Sequence, residues 1–174
     1  MPLDVLKPVL ICAFAALVVV AALKDASSYT IPNWISAALA LLFTPAALAA
    51  GIEPAQIGLC AVIGAGMLAA GVAMFAAGWL GGGDVKLMAA ASLWIGLPGL
   101  APFALYTGLA GGVLALGLLA LRSDWVRPFA AGAPAWFSRL ATPGAATPYG
   151  VAIAVGALAA FPAGLLMRGA HAGV

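Results

Sequence analysis

Two aspartates stand out in a chain that rarely uses charge. Asp84 closes the run Gly81-Gly82-Gly83-Asp84, followed by Val85-Lys86, between two long apolar stretches. Asp25 follows Lys24 at the end of another. An acid in apolar surroundings is costly and marks a functional site by default. Three glycines permit φ > 0 and close approach of other groups. Two carboxylates held together cannot both ionise easily, so the pair shares a proton near neutral pH. The charged member can take a proton from water. The neutral member can donate to a carbonyl oxygen and stabilise a tetrahedral intermediate. That chemistry is peptide hydrolysis without a metal or a covalent intermediate. Taken singly, each acid has a plainer reading. Asp84 suits a helix N-cap, and Asp25 could be a solvated loop acid. Yet Asp25 follows a helix C-terminus, where the dipole disfavours negative charge.

No rival catalytic equipment is visible. There is no HExxH, and the single His171 lies in the tail without a partner. Cys12 and Cys60 sit in apolar runs and form no CxxC pair, so they read as buried free thiols and not as zinc ligands. No metal or cofactor is expected.

The elements that position the acids follow from composition. The 174 residues are 66% hydrophobic and 7% charged, whereas soluble domains carry roughly 25% charged residues. Lipid must be the solvent, and the fold class is all-α: one membrane domain, 1–174, with its helices in a single bundle. The net charge of +2 is too small to suggest nucleic acid. The N-terminus carries Asp4 and Lys7 and not a basic cluster, so it reads as a membrane helix and not as a signal peptide.

Since about 20 apolar residues cross a bilayer, six spans are expected, near 5–23, 35–51, 57–80, 84–100, 103–121 and 151–167. Thr30 or Asn33 could cap the second, with Pro32 in its first turn and a kink at Pro45. Gly64, Gly71 and Gly78 recur every seven residues, and Gly108 and Gly112 form a GxxxG pair; both suggest close helix packing. The fourth apolar run is short and broken by Gly96-Leu97-Pro98-Gly99, which puts Asp84 and Lys86 at the membrane edge or about a turn inside it. Arg122 to Thr147 mixes Arg with Trp and Phe and reads as a headgroup segment.

Six spans place both termini on one side. Lys24, Lys86, Arg122, Arg127 and Arg139 share the other side, leaving Lys7 and Arg168 behind. The positive-inside rule makes the richer side cytoplasmic. Asp25 and Asp84 therefore share the cytoplasmic face.

Lys24-Asp25, then Ile31-Pro32-Asn33, then Gly81-Gly82-Gly83-Asp84-Val85-Lys86-Leu87 resembles the type IV prepilin leader peptidases, and among them the small Flp/Tad branch that lacks an added cytoplasmic domain. The resemblance implies that the acid six residues before Ile-Pro-Asn and the acid ending the glycine motif, Asp25 and Asp84, are the catalytic pair. Gly81, Gly82, Gly83, Lys86, Pro32 and Asn33 are expected to shape the site. Thr147-Pro148-Tyr149-Gly150 resembles a segment near the family's last helix, again with a shaping role. The implied substrate is a prepilin or pseudopilin in the bacterial inner membrane, cut on the cytoplasmic side between a short basic leader and an apolar helix. Larger members carry paired CxxC motifs and methylate the new N-terminus. This chain has neither those cysteines nor a nucleotide-like glycine fingerprint, so methylation is not expected. Presenilin-type proteases share Gly-x-Gly-Asp, but Ile-Pro-Asn favours the prepilin branch. The competing readings are a small proton- or cation-coupled transporter using the same acids, although no inverted repeat supports it, and a membrane scaffold without chemistry.

Overall fold

The computed structural model describes residues 3–123 and 134–168, and these are helical with no strand. Helix α1 spans Leu3–Ser28, α2 Asn33–Ala49, α3 Pro54–Ala76, α4 Gly82–Arg122, α5 Ala135–Leu140 and α6 Tyr149–Ala160. A 3₁₀ turn at Phe161–Ala163 leads to α7, Leu165–Arg168. Among the described residues, four stretches are long and apolar enough to cross a membrane: Val5–Ser28, Pro54–Ala76, Gly82–Arg122 and Tyr149–Met167. At 17 residues, α2 falls just short of that length.

Several boundaries differ from the sequence reading. Helix α1 continues to Ser28, so Asp25 lies in its last turn and not in a loop. Helix α2 begins at Asn33 and runs through Pro45; its N-cap is Pro32, with no side-chain capping bond. Thr30 instead shares a hydrogen bond with Ser28. Helix α3 ends at Ala76 in a Schellman motif, with the Trp79 N–H donating to Met74 O at 2.9 Å and the Gly78 N–H to Phe75 O at 2.9 Å. Gly78 therefore lies beyond the helix and shares no face with Gly64 and Gly71. Cys60 is buried as expected, but Cys12 is exposed on α1.

The expected fourth and fifth spans follow each other without a loop as two helical arms of α4, joined at a non-helical Gly96, where φ is 63° and ψ is −176°. That conformation is essentially restricted to glycine. It divides α4 into an inner arm, 82–95, and an outer arm, 97–122. Gly64 and Gly71 of α3 meet Leu93 and Val85, so α3 runs antiparallel to the inner arm. On the outer arm Thr107 meets Gly156, Gly111 meets Ala152 and Gly99 meets Gly164. Helix α6 is thus antiparallel to the outer arm. Its other end, at Gly150, lies with Asp25 and Asp84. The two arms must therefore run in opposite directions, with the reversal at Gly96.

The inner arm is the axis of the bundle. Trp94 is fully buried, donates its indole N–H to Leu39 O at 2.8 Å, and packs against Phe14 at 5.0 Å and Phe43 at 6.3 Å between ring centroids. Phe14 also stacks on Phe161 at 4.8 Å. These contacts join α1, α2 and the 3₁₀ turn to the inner arm, while Leu41, Val62, Val113 and Leu116 point outward. An apolar outer surface of this kind suits lipid and not water.

Candidate active site

Asp25 and Asp84 meet at one end of the bundle. Both line a cavity of about 420 Å³ that Tyr29, Trp79, Thr147 and Tyr149 also border. The acids are 5% and 7% exposed. They are close enough to interact electrostatically, and no described lysine or arginine pairs with either. Gly71, the α3 neighbour of Val85, is five residues before the end of α3. At 1.5 Å per residue the acid lies about 7 Å below that end.

Asp84 does act as a helix cap. As the third residue of α4 it accepts the Gly81 N–H through Oδ2 at 3.1 Å, one half of a capping box. That bond uses one oxygen. The other, Oδ1, is buried with no hydrogen-bond partner. Leaving a buried carboxylate oxygen unsatisfied costs more than a cap requires. The capping bond therefore uses one oxygen of the side chain and leaves the other unengaged.

Asp25 is held from the far end of the chain. Its Oδ2 accepts the Gly150 N–H at 2.7 Å. That N–H belongs to the first turn of α6, where amides lack intrahelical partners and the dipole favours an anion. A Cβ on Gly150 would meet both Asp25 Oδ2 and Ile31 Cδ1 at 2.8 Å, so only glycine lets the backbone approach this closely. Each acid thus accepts a direct bond from one glycine amide, and the Gly150 N–H also faces Asp84.

The remaining expected site residues are all nearby, with altered roles. Gly81, Gly82 and Gly83 do not adopt positive φ; what the motif supplies is space. A Cβ on Gly83 would press on Ile31 Cβ at 3.1 Å, whereas one on Gly82 would only touch Phe75 at 3.7 Å. Lys86 is more than a charge at the helix edge. Its Nζ donates to Asn33 Oδ1 at 2.8 Å, tying the inner arm to the start of α2 behind Pro32. The Arg122–Thr147 stretch also reaches the site. Arg122 donates from Nε to Leu140 O at 2.9 Å and from Nη2 to Ala146 O at 3.0 Å, and Ala145 to Thr147 border the acid cavity. Asp124, Trp125, Arg127 and Phe129, like His171, lie outside the described residues.

The Gly150 amide is the contact that the sequence reading missed. Its segment was visible as a pattern, but a backbone N–H leaves no mark in residue type. Among the described residues no cluster of three or more His, Cys, Asp or Glu could hold a metal.

The Type IV leader peptidase family matches residues 12–116, more than half of the chain, and the match includes both acids. The chain belongs to the type IV leader peptidase family. The match ends before Gly150, so the anchor of Asp25 comes from a segment beyond it. No curated protein and no solved structure matches the chain.

Proposed function

We propose that this leader peptidase is a membrane-embedded aspartic endopeptidase with Asp25 and Asp84 as its catalytic pair. It removes the leader of a prepilin or pseudopilin, in the manner of the Flp/Tad branch, at the cytoplasmic face of the bacterial inner membrane. The observation that carries this reading is the buried, unpartnered Oδ1 of Asp84 in a cavity shared with Asp25.

In the proposed reaction one carboxylate takes a proton from water as the oxygen adds to the scissile carbonyl carbon. The protonated partner donates to the carbonyl oxygen. Collapse of the tetrahedral intermediate breaks the C–N bond, and the leaving nitrogen takes up a proton. The glycine amides keep the two carboxylates in position, which costs nothing at the moment of reaction. No methyl transfer is part of this activity.

We read the reversal at Gly96 as dividing α4 into two crossings, which with α1, α2, α3 and the α6–α7 stretch makes six. Both termini then face the periplasm and the acids face the cytoplasm. Cysteine labelling of whole cells at Ser28 and Gly173 tests this arrangement. Labelling at Ser28 without labelling at Gly173 would overturn it.

The test of function is co-expression with a pilin precursor. Asp25→Asn and Asp84→Asn should each abolish leader removal while protein levels persist, because Asn keeps the shape but cannot relay the proton. Removal that continues in both variants would refute the assignment. If the intact protein cuts no precursor, proton-coupled flux in proteoliposomes tests the transporter reading of the same acids.

A further inference from the structure

The bundle has an opening between α2 and α3. These helices are consecutive in the chain, yet each packs on α4 and scarcely on the other. The opening is a groove of about 480 Å³. Ala37 and Ala40 form one wall, Ala61 and Ala65 the other, and Ala89 and Ala90 of the inner arm form the floor. At its upper end the groove shares Asn33 with a smaller cavity of about 270 Å³ that Asp25 and Asp84 also line, so the two adjoin. From Lys86 to Leu93 the groove follows the inner arm for about 10 Å or two helical turns. Ser36 also lines it, 8% exposed and with no partner for its hydroxyl.

We propose that this groove holds the first two turns of the apolar segment that follows the scissile bond of the precursor. The inference rests on the peptidase reading above. The apolar lining and the gap between α2 and α3 admit an occupant from the bilayer. On the peptidase reading, an occupant whose upper end adjoins the two carboxylates beside Asn33 presents a peptide bond there. Small residues on three helices let a further helix approach closely. The first turn of a helix has amides without intrahelical partners, and the Ser36 hydroxyl can accept from one. A lipid acyl chain would satisfy the apolar lining but neither Ser36 nor the acids.

The probe is a synthetic precursor with a basic leader, a junctional glycine and an apolar helix of about 20 residues. Full-length protein carrying Cys12→Ala, Cys60→Ala and Asp84→Asn keeps the precursor uncut. Ala37→Cys or Ala65→Cys is then introduced, and single cysteines are scanned along the precursor. The proposal expects disulfides to positions in the first two turns after the junction, spaced by three or four residues, and none from the lipid-side control Val62→Cys. Thr147→Cys in the acid cavity should capture the junction itself. In the active protein, Ala65→Phe at this exposed groove position should raise KM for the precursor about tenfold with kcat nearly unchanged. Capture at Thr147→Cys with none in the groove overturns the proposal and leaves the peptidase reading standing. Capture in the groove of only a second copy of the chain, or of only a photoactivatable lipid, also overturns it. If the unmodified protein never cuts the precursor, the peptidase reading falls, and this inference with it.

Discussion

The two arms of α4 are consecutive in the chain and opposite in environment. The inner arm is buried along most of its length, from Asp84 and Val85 to Trp94 and Ile95. The outer arm buries little beyond Gly99, Phe103 and Leu118, and exposes Leu105, Leu109, Val113 and Leu116. Both arms are apolar. In water, hydropathy would separate core from surface; in lipid, the surface is as apolar as the core. What distinguishes the inner arm in the sequence is its pair of costly polar residues, Asp84 and Lys86, since small residues are as frequent on the outer arm, from Gly99 to Gly117. Where lipid is the solvent, isolated charge indicates the interior better than apolarity does.

The sharpest way to break this comparison is to truncate a large side chain on each arm. Trp94→Ala should cost about 3–5 kcal/mol, since it empties a packed site and leaves Leu39 O without its indole donor. Leu109→Ala, 59% exposed on the outer arm, should stay within about 0.5 kcal/mol. Denaturant-induced unfolding in micelles measures both. Equal losses would mean that the outer arm has a protein partner.

The next effect is catalytic. Gly150→Ala pushes a Cβ into Asp25 and Ile31, and a displacement of about 1 Å near the chemistry can cost about 10²-fold in rate. Precursor cleavage should fall by that order while unfolding changes little. Unaltered cleavage would remove the Gly150 amide from the site.

Gly96→Ala probes the reversal itself. The backbone there suits only glycine, so the variant should lose about 1–3 kcal/mol of stability. The protein that remains folded should keep its kcat, because Gly96 lies at the end of the inner arm away from the acids. A fall in kcat without a fall in stability would contradict that separation.

Lys86→Ala removes the bond to Asn33, an exposed link worth about 1 kcal/mol or less. Cleavage should fall only a few-fold, and Lys86→Arg should restore most of it. A total loss would place Lys86 in the chemistry.

The smallest effect is expected at the GxxxG pair. Close packing was the sequence expectation there, yet a Cβ on Gly108 or Gly112 meets nothing within 4 Å. Gly108→Ala and Gly112→Ala should each change stability by no more than about 0.5 kcal/mol. A loss as large as that of Gly96→Ala would mean that this face is covered by another chain.

Composition determines that the protein is lipid-solvated, because a chain with 7% charged residues cannot clothe a water-facing surface, and its long continuous apolar runs determine that it is helical. Asp25, Asp84 and the glycines before Asp84 were legible for the same reason: charge and glycine are conspicuous in an apolar sequence. The break near Gly96 was legible from Gly and Pro spacing. Its outcome, a reversal of direction at Gly96, depended on a single φ/ψ pair that residue type permits but does not dictate. Only tertiary structure decided which apolar face meets protein, since lipid and core select the same side chains. Only tertiary structure, likewise, brought the Gly150 amide across 125 residues to Asp25. Every residue except proline carries a backbone N–H, so which one points at a carboxylate is settled by packing alone.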